Sequence, residues 1–189
     1  RWINPNVRRG VERNMVATVG EPGGLTVLDR ESGEFLWAMP FPFDTPHFHI
    51  SDMDVTTGRA MISRDLVLTG PDDFHEVICF ANTKGYFPMA YHPGRNALYI
   101  PYHDTCANRT AALGTTNGHR RETFIRPGAD PDHYVGLARV DMETGVIVEH
   151  DALPEPATTK ADARPNTARE LAAWLSSKGL TPEIVKRER

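Results

Sequence analysis

Five short stretches place apolar side chains where a strand would bury them: residues 15–19 (MVATV), 25–28 (LTVL), 34–37 (EFLW), 97–101 (ALYIP) and 135–140 (VGLARV). All are short, rich in β-branched and aromatic residues, and bounded by turn formers, so they predict strands rather than helices. EPGG at 21–24 and HPGRN at 92–96 are the punctuation between them. MAYHPGRNALYI (89–100) predicts a hairpin that reverses at PGRN. Residues 103–133 are rich in Gly, Thr, Asn and Arg without clear periodicity, which predicts a long functional or disordered loop.

One phrase recurs. Asp-x-x-Ser/Thr-Gly appears as DRESG at 29–33, DVTTG at 54–58 and DMETG at 141–145. The Asp carboxylate can accept hydrogen bonds from the next backbone N–H groups, the hydroxyl supports it, and Gly takes the left-handed conformation that closes the turn. Strand-like flanks around the first and third copies predict a repeated strand–turn–strand unit. Three such units suggest an all-β body built as a propeller, with insertions to explain the uneven spacing. A β sandwich reusing a good hairpin turn is the competing architecture. The C-terminal part changes character. Residues 1–150 read as the β body, and 151–189 as a Pro/Ala/Asp linker followed by a helical tail. Thr167 and Glu170 suit a capping box, with Trp174 and Leu175 on the buried face. A second short helix is predicted from Thr181.

Composition narrows the function classes. The 189 residues suffice for one domain with a real core. A formal net charge of −4 offers nucleic acid no electrostatic footprint. No apolar run approaches membrane-spanning length. The opening RWINPNVRRG lacks an initiator Met and a secretory leader, so we expect a processed chain or a piece of a longer one. Cys79 and Cys106 form no C-x-x-C pair; a structural disulfide and two buried thiols are both consistent with composition.

Three longer stretches carry a family resemblance: ATVGEPGGLTVLDRESGEFLW, CFANTKGYFPMAYHPGRNALYIPYHDTC and RRETFIRPGADPDHYVGLARVDMETG. Together, over roughly residues 14–150, the chain resembles the quinoprotein alcohol dehydrogenases. These are eight-bladed β-propellers that carry pyrroloquinoline quinone and usually calcium. Pro88, Ala90, Tyr91, Pro93 and Pro101, between Cys79 and Cys106, follow the family's order in the most specific segment. The resemblance implies a partial β-propeller of about three four-stranded blades and a Cys79–Cys106 disulfide. It also implies a periplasmic setting, an alcohol substrate and a cytochrome c electron acceptor for the parent enzyme. In the family a Trp eight residues after the turn Asp docks on the next blade. Trp37 stands there in the first copy, Ile62 and Glu149 in the others.

The family's chemistry needs a carboxylate base, a divalent cation that polarises the quinone, and an aromatic beneath the ring. The base, the metal ligands and that aromatic have no matched positions here. Two expected cofactor contacts depart from the pattern. Glu21 stands where a basic residue would reach a quinone oxygen, and Asn82-Thr83-Lys84-Gly85-Tyr86 stands where the family has Gly-Gly-Lys-Asn-Trp. Lys84 remains a candidate positive charge, Tyr86 a candidate aromatic wall, and Gly85 marks the lost Asn. We therefore expect a fragment of a quinone-dependent alcohol dehydrogenase-like oxidoreductase, inactive alone, with quinone and calcium held by the parent. The alternatives are a propeller-like binding module that has lost the quinone, and an unrelated secreted β domain.

Other constellations weigh less. His47 and His49 would share one strand face, with His75, His92 and His103 as further metal-ligand candidates. Tyr102-His103-Asp104 lacks an accompanying Gly-x-Ser-x-Gly elbow. Cys106 near His103 suggests a Cys/His pair, Asn108-Arg109-Thr110 is a glycosylation sequon, and neither a phosphate-cradling Gly motif nor a C-x-x-C-H haem site occurs.

Overall fold

The computed structural model of the chain describes residues 2–7, 10–21, 23–85, 87–112, 118–132, 134–152 and 173. Among these, the regular structure is almost entirely strand. In chain order the strands are β1 (Trp2–Ile3), β2 (Met15–Gly20), β3 (Gly23–Asp29), β4 (Phe35–Met39), β5 (Ile50–Met53), β6 (Ala60–Ile62) and β7 (Phe74–Cys79). They continue with β8 (Ala90–His92), β9 (Ala97–His103), β10 (Thr105–Ala111), β11 (His119–Ile125), β12 (Val135–Asp141) and β13 (Val146–Ala152). The chain divides into two compact units, Arg1–Thr83 with Thr105–Arg126, and Lys84–Asp104 with Pro127–Arg189.

The first unit holds three antiparallel sheets, ordered β1-β4-β3-β2, β5-β6 and β11-β10-β7. Along β3 burial alternates, and Leu25 and Val27 are fully buried, as a strand with one packed face requires. Phe35, Ala38 and Met53 form one core cluster, flanked by Trp2 and Leu28. A second gathers Phe48, Cys79, Phe80 and Cys106.

The second unit holds one four-stranded sheet, β13-β12-β9-β8. Its β8–β9 hairpin reverses where the sequence predicted. Pro93–Arg95 form a 3-10 turn, Asn96 is left-handed at φ 44°, and the Tyr91 hydroxyl donates to Asn96 Oδ1 at 2.9 Å. Six of the seven residues of β9 are buried, and Ala90, Ala97, Tyr99 and Leu137 pack as its core cluster.

The three Asp-to-Gly phrases are the turns predicted. Each joins consecutive antiparallel strands: β3 to β4, β5 to β6, and β12 to β13. Asp29 Oδ1 accepts from the N–H of Glu31 and of Ser32, both at 2.9 Å, and Asp54 Oδ1 accepts from Thr56 N at 2.9 Å. Asp141 Oδ1 accepts from Thr144 N at 2.7 Å. Gly33, Gly58 and Gly145 close the turns at φ 76°, 72° and 64°, each donating its N–H to the carbonyl of the turn Asp. The first and third copies belong to four-stranded sheets; the second belongs to a two-stranded one.

The predicted long loop needs correction. Residues 103–133 contain two seven-residue strands, β10 and β11, paired in continuous register from Thr105↔Ile125 to Ala111↔His119. Backbone ladders on both sides of β10 hold this sheet, and β11 at its edge is largely exposed and charged. Apolar alternation was therefore a poor guide. Of the predicted linker and helical tail at 151–189, Asp151 and Ala152 belong instead to β13 and residue 173 is helical; the rest, with Thr167, Glu170, Trp174 and Leu175, lies outside the described residues.

Candidate functional site

The site in the first unit is built from the end of β7. Cys79 and Cys106 are directly opposed in the β7–β10 register with Cα atoms 4.3 Å apart, and they form the disulfide that the family resemblance implied. Both are fully buried beside Phe48 and Phe80. From this staple the chain is pinned residue by residue. Ala81 N donates to Thr105 O at 2.9 Å, the Thr105 hydroxyl returns a bond to Ala81 O, and Thr83 N donates to Glu21 O at 2.8 Å. Asn82 is left-handed at φ 53°.

Those bonds gather Glu21, Asn82 and Arg121. Arg121 Nη1 lies 3.4 Å from Glu21 Oε1, and its Nη2 donates to Asn82 Oδ1 at 3.0 Å. The Glu21 side chain is 56% exposed, so the pair is worth at most about 1 kcal/mol. Lys84 and Gly85 open the second unit. Burial of the half-buried Lys84 ammonium pushes its pKa below the ordinary lysine value. Gly85 is left-handed at φ 55°, and the Lys84 carbonyl accepts from Phe87 N at 3.2 Å. Tyr86 lies outside the described residues.

Beside the disulfide, the first unit also contains a cavity of about 190 Å³. The β7–β10–β11 sheet supplies Ile78, Ala107, Arg109, His119 and Arg121 to its lining. Their spacing explains why. Ala107 and Arg109 on β10, and His119 and Arg121 on β11, are each two residues apart and so share a face. His49, Ile62 and Leu66 line it from the β5–β6 region, and Phe80 and Ala81 from the segment after β7. Arg109 and Arg121 are direct cross-strand partners. The His49 Nδ1 and Arg109 Nε atoms are buried without a hydrogen-bond partner among the described residues. An orphan of that kind costs about 1–3 kcal/mol. Burial, reinforced by the Arg109 charge and opposed by a backbone hydrogen bond at Cys79, holds the His49 imidazole below the ordinary histidine pKa.

The histidine candidates do not converge. His47 is exposed, and His75 pairs with Asp73 at 3.5 Å. No cluster of three or more His, Cys, Asp or Glu able to hold a metal occurs among the described residues. A Cys106–His103 pair, the weakly weighted alternative, has no thiol, since both cysteines are in the disulfide. The Asn108 side chain of the sequon accepts from Val77 N at 3.2 Å. Sequence reasoning missed Arg109, His119 and Arg121. The period-two pairs Ala107/Arg109 and His119/Arg121 were the available signal.

No protein-family model matches the chain, and no curated protein sequence matches it. Solved structures do. A europium-containing methanol dehydrogenase superposes with a TM-score of 0.65 at 20% identity, covering 77% of this chain and 26% of that one. A quinohemoprotein alcohol dehydrogenase from Pseudomonas putida HK5 gives 0.54 at 18% identity, covering 73% and 22%. The fold is a propeller-type quinoprotein fold, in part. The chain spans about a quarter of the length of these quinoproteins. At such identities the likeness establishes a shared fold, and the quinoprotein likeness agrees with the all-β, partial-propeller class expected from the sequence.

Proposed function

We propose that this chain is a segment of a quinone-dependent, alcohol-oxidising oxidoreductase and has no turnover of its own. The observation carrying the reading is the structural match over 77% of the chain to a methanol dehydrogenase. The buried Cys79–Cys106 disulfide supports it and suits an oxidising compartment such as the periplasm. In this reading the complete enzyme uses a small alcohol as substrate and passes electrons to a cytochrome c. In this reading Glu21, Lys84, Gly85 and Tyr86 are each candidate contacts of pyrroloquinoline quinone.

The described residues do not fit the whole catalytic group. They offer no set of ligands for calcium, and the carboxylate of Glu21 stands where a quinone oxygen would want a cation. What this chain's residues supply is positioning: the disulfide and the 81–83 bonds fix the segment leading to Lys84, and Arg121 neutralises Glu21. The Glu21 substitution also favours a second reading, a propeller-like binding module without quinone.

The test is the reading frame from which the chain comes. The proposal expects further Asp-x-x-Ser/Thr-Gly hairpins flanking it, quinone- and alcohol-dependent dye reduction by the whole product, and none by residues 1–189. A whole product that binds quinone in no condition supports the binding module. Dye reduction by residues 1–189 alone overturns the claim of no turnover.

A further inference from the structure

We propose that the cavity of the first unit is a binding site for a small organic carboxylate. Its floor sets Arg109 directly opposite Arg121 on one sheet face. Like charges in direct cross-strand register destabilise a sheet, and an anion bound between them offsets that cost. Glu21 engages the far end of Arg121, but no carboxylate pairs with Arg109 among the described residues, and its buried Nε lacks an acceptor. Arginine forks match carboxylates in two-point geometry, and a partly enclosed setting strengthens such bonds.

The rest of the lining selects the body of the ligand. Ile78, Leu66 and Phe80 give the cavity an apolar wall, and His49, whose pKa burial lowers, adds a polar group. The volume of about 190 Å³ far exceeds what one water needs and falls below the range of drug-sized pockets. A monocarboxylate with a short aliphatic chain or a single ring meets all of these features. Inorganic anions match the arginines but leave the apolar wall unused. This inference does not depend on the oxidoreductase reading, and its test involves no quinone.

The experiment is an NMR titration of the ¹⁵N-labelled chain with benzoate, and in parallel with benzamide and inorganic phosphate. Saturable shifts are expected at the amides of Phe80, Arg109 and Arg121. Benzamide and phosphate should bind at least about tenfold more weakly, because the first lacks the charge-assisted bonds and the second the apolar contact. Arg109→Gln should weaken benzoate by about tenfold or more while keeping the dispersed spectrum of a folded chain. Arg121→Gln serves the same purpose should Arg109→Gln fail to fold. Equal affinity for benzoate and benzamide, equal affinity for phosphate, no saturable shift, or an unaltered affinity in a folded variant overturns the proposal.

Discussion

Asp54 shows how much one carboxylate does in a hairpin turn. Hydrogen bonds from the Thr56 hydroxyl and N–H, with Thr57 adding to them, lower its pKa from 3.8 to about 2. Asp29 and Asp141 shift the same way, led by the backbone N–H of Ser32 and Thr144. A folded pKa below the unfolded one means that the stabilisation is full above the unfolded value and is lost as pH falls through the folded one. Replacing Asp54 by Asn should therefore lower Tm at neutral pH, and the gap to wild type should close between about pH 4 and pH 2. A gap of equal size at both ends would show that ionisation is irrelevant to the turn. The glycines divide by surroundings. A Cβ on Gly58 would lie 2.6 Å from Cδ2 of Phe35, which is itself only 2% exposed, whereas a Cβ on Gly33 meets nothing within 4 Å. Both residues are left-handed. Gly33→Ala should cost about 1 kcal/mol in urea unfolding, and Gly58→Ala about 2–4 kcal/mol, because ring displacement adds to backbone strain.

Among the elements, the strands legible in the sequence were those with a buried apolar face. The predicted 15–19, 25–28, 34–37, 97–101 and 135–140 lie on β2, β3, β4, β9 and β12, with ends displaced by no more than two residues. β10 and β11 escaped notice because TCANRTA and HRRETFI present few apolar side chains to alternate, and tertiary pairing with β7 decides their state. The candidate site suffered for the same reason: Arg109 and Arg121 become neighbours only through that register. Glu21 and Lys84 could be singled out by comparison with a motif, but the Arg121 partner of Glu21 lies 100 residues away in sequence. The disulfide joins the ends of β7 and β10 across 27 residues, a loop for which the chain-entropy model gives about 3.5 kcal/mol. Cys79→Ser together with Cys106→Ser should lower unfolding stability by about 2–4 kcal/mol, measured by denaturant midpoint without reductant. Unchanged stability would mean that the buried sulfurs contribute packing alone.

For the whole molecule, fold and function rest on different grounds. The architecture is shared with quinoproteins at low identity, over about a quarter of their length. A fold does not fix an activity; the site must do so. Here the first unit offers a disulfide-anchored segment and a glutamate paired with Arg121, and the second a half-buried Lys84. The most direct measurement is an absorbance titration of pyrroloquinoline quinone into the product of the whole reading frame, wild type against Lys84→Ala. The account predicts saturable binding in the wild type and weakening by about tenfold in the variant, the loss of one charge-assisted contact. Identical affinities would remove Lys84 from the cofactor contacts, and no binding by either protein would contradict the quinone-dependent reading itself.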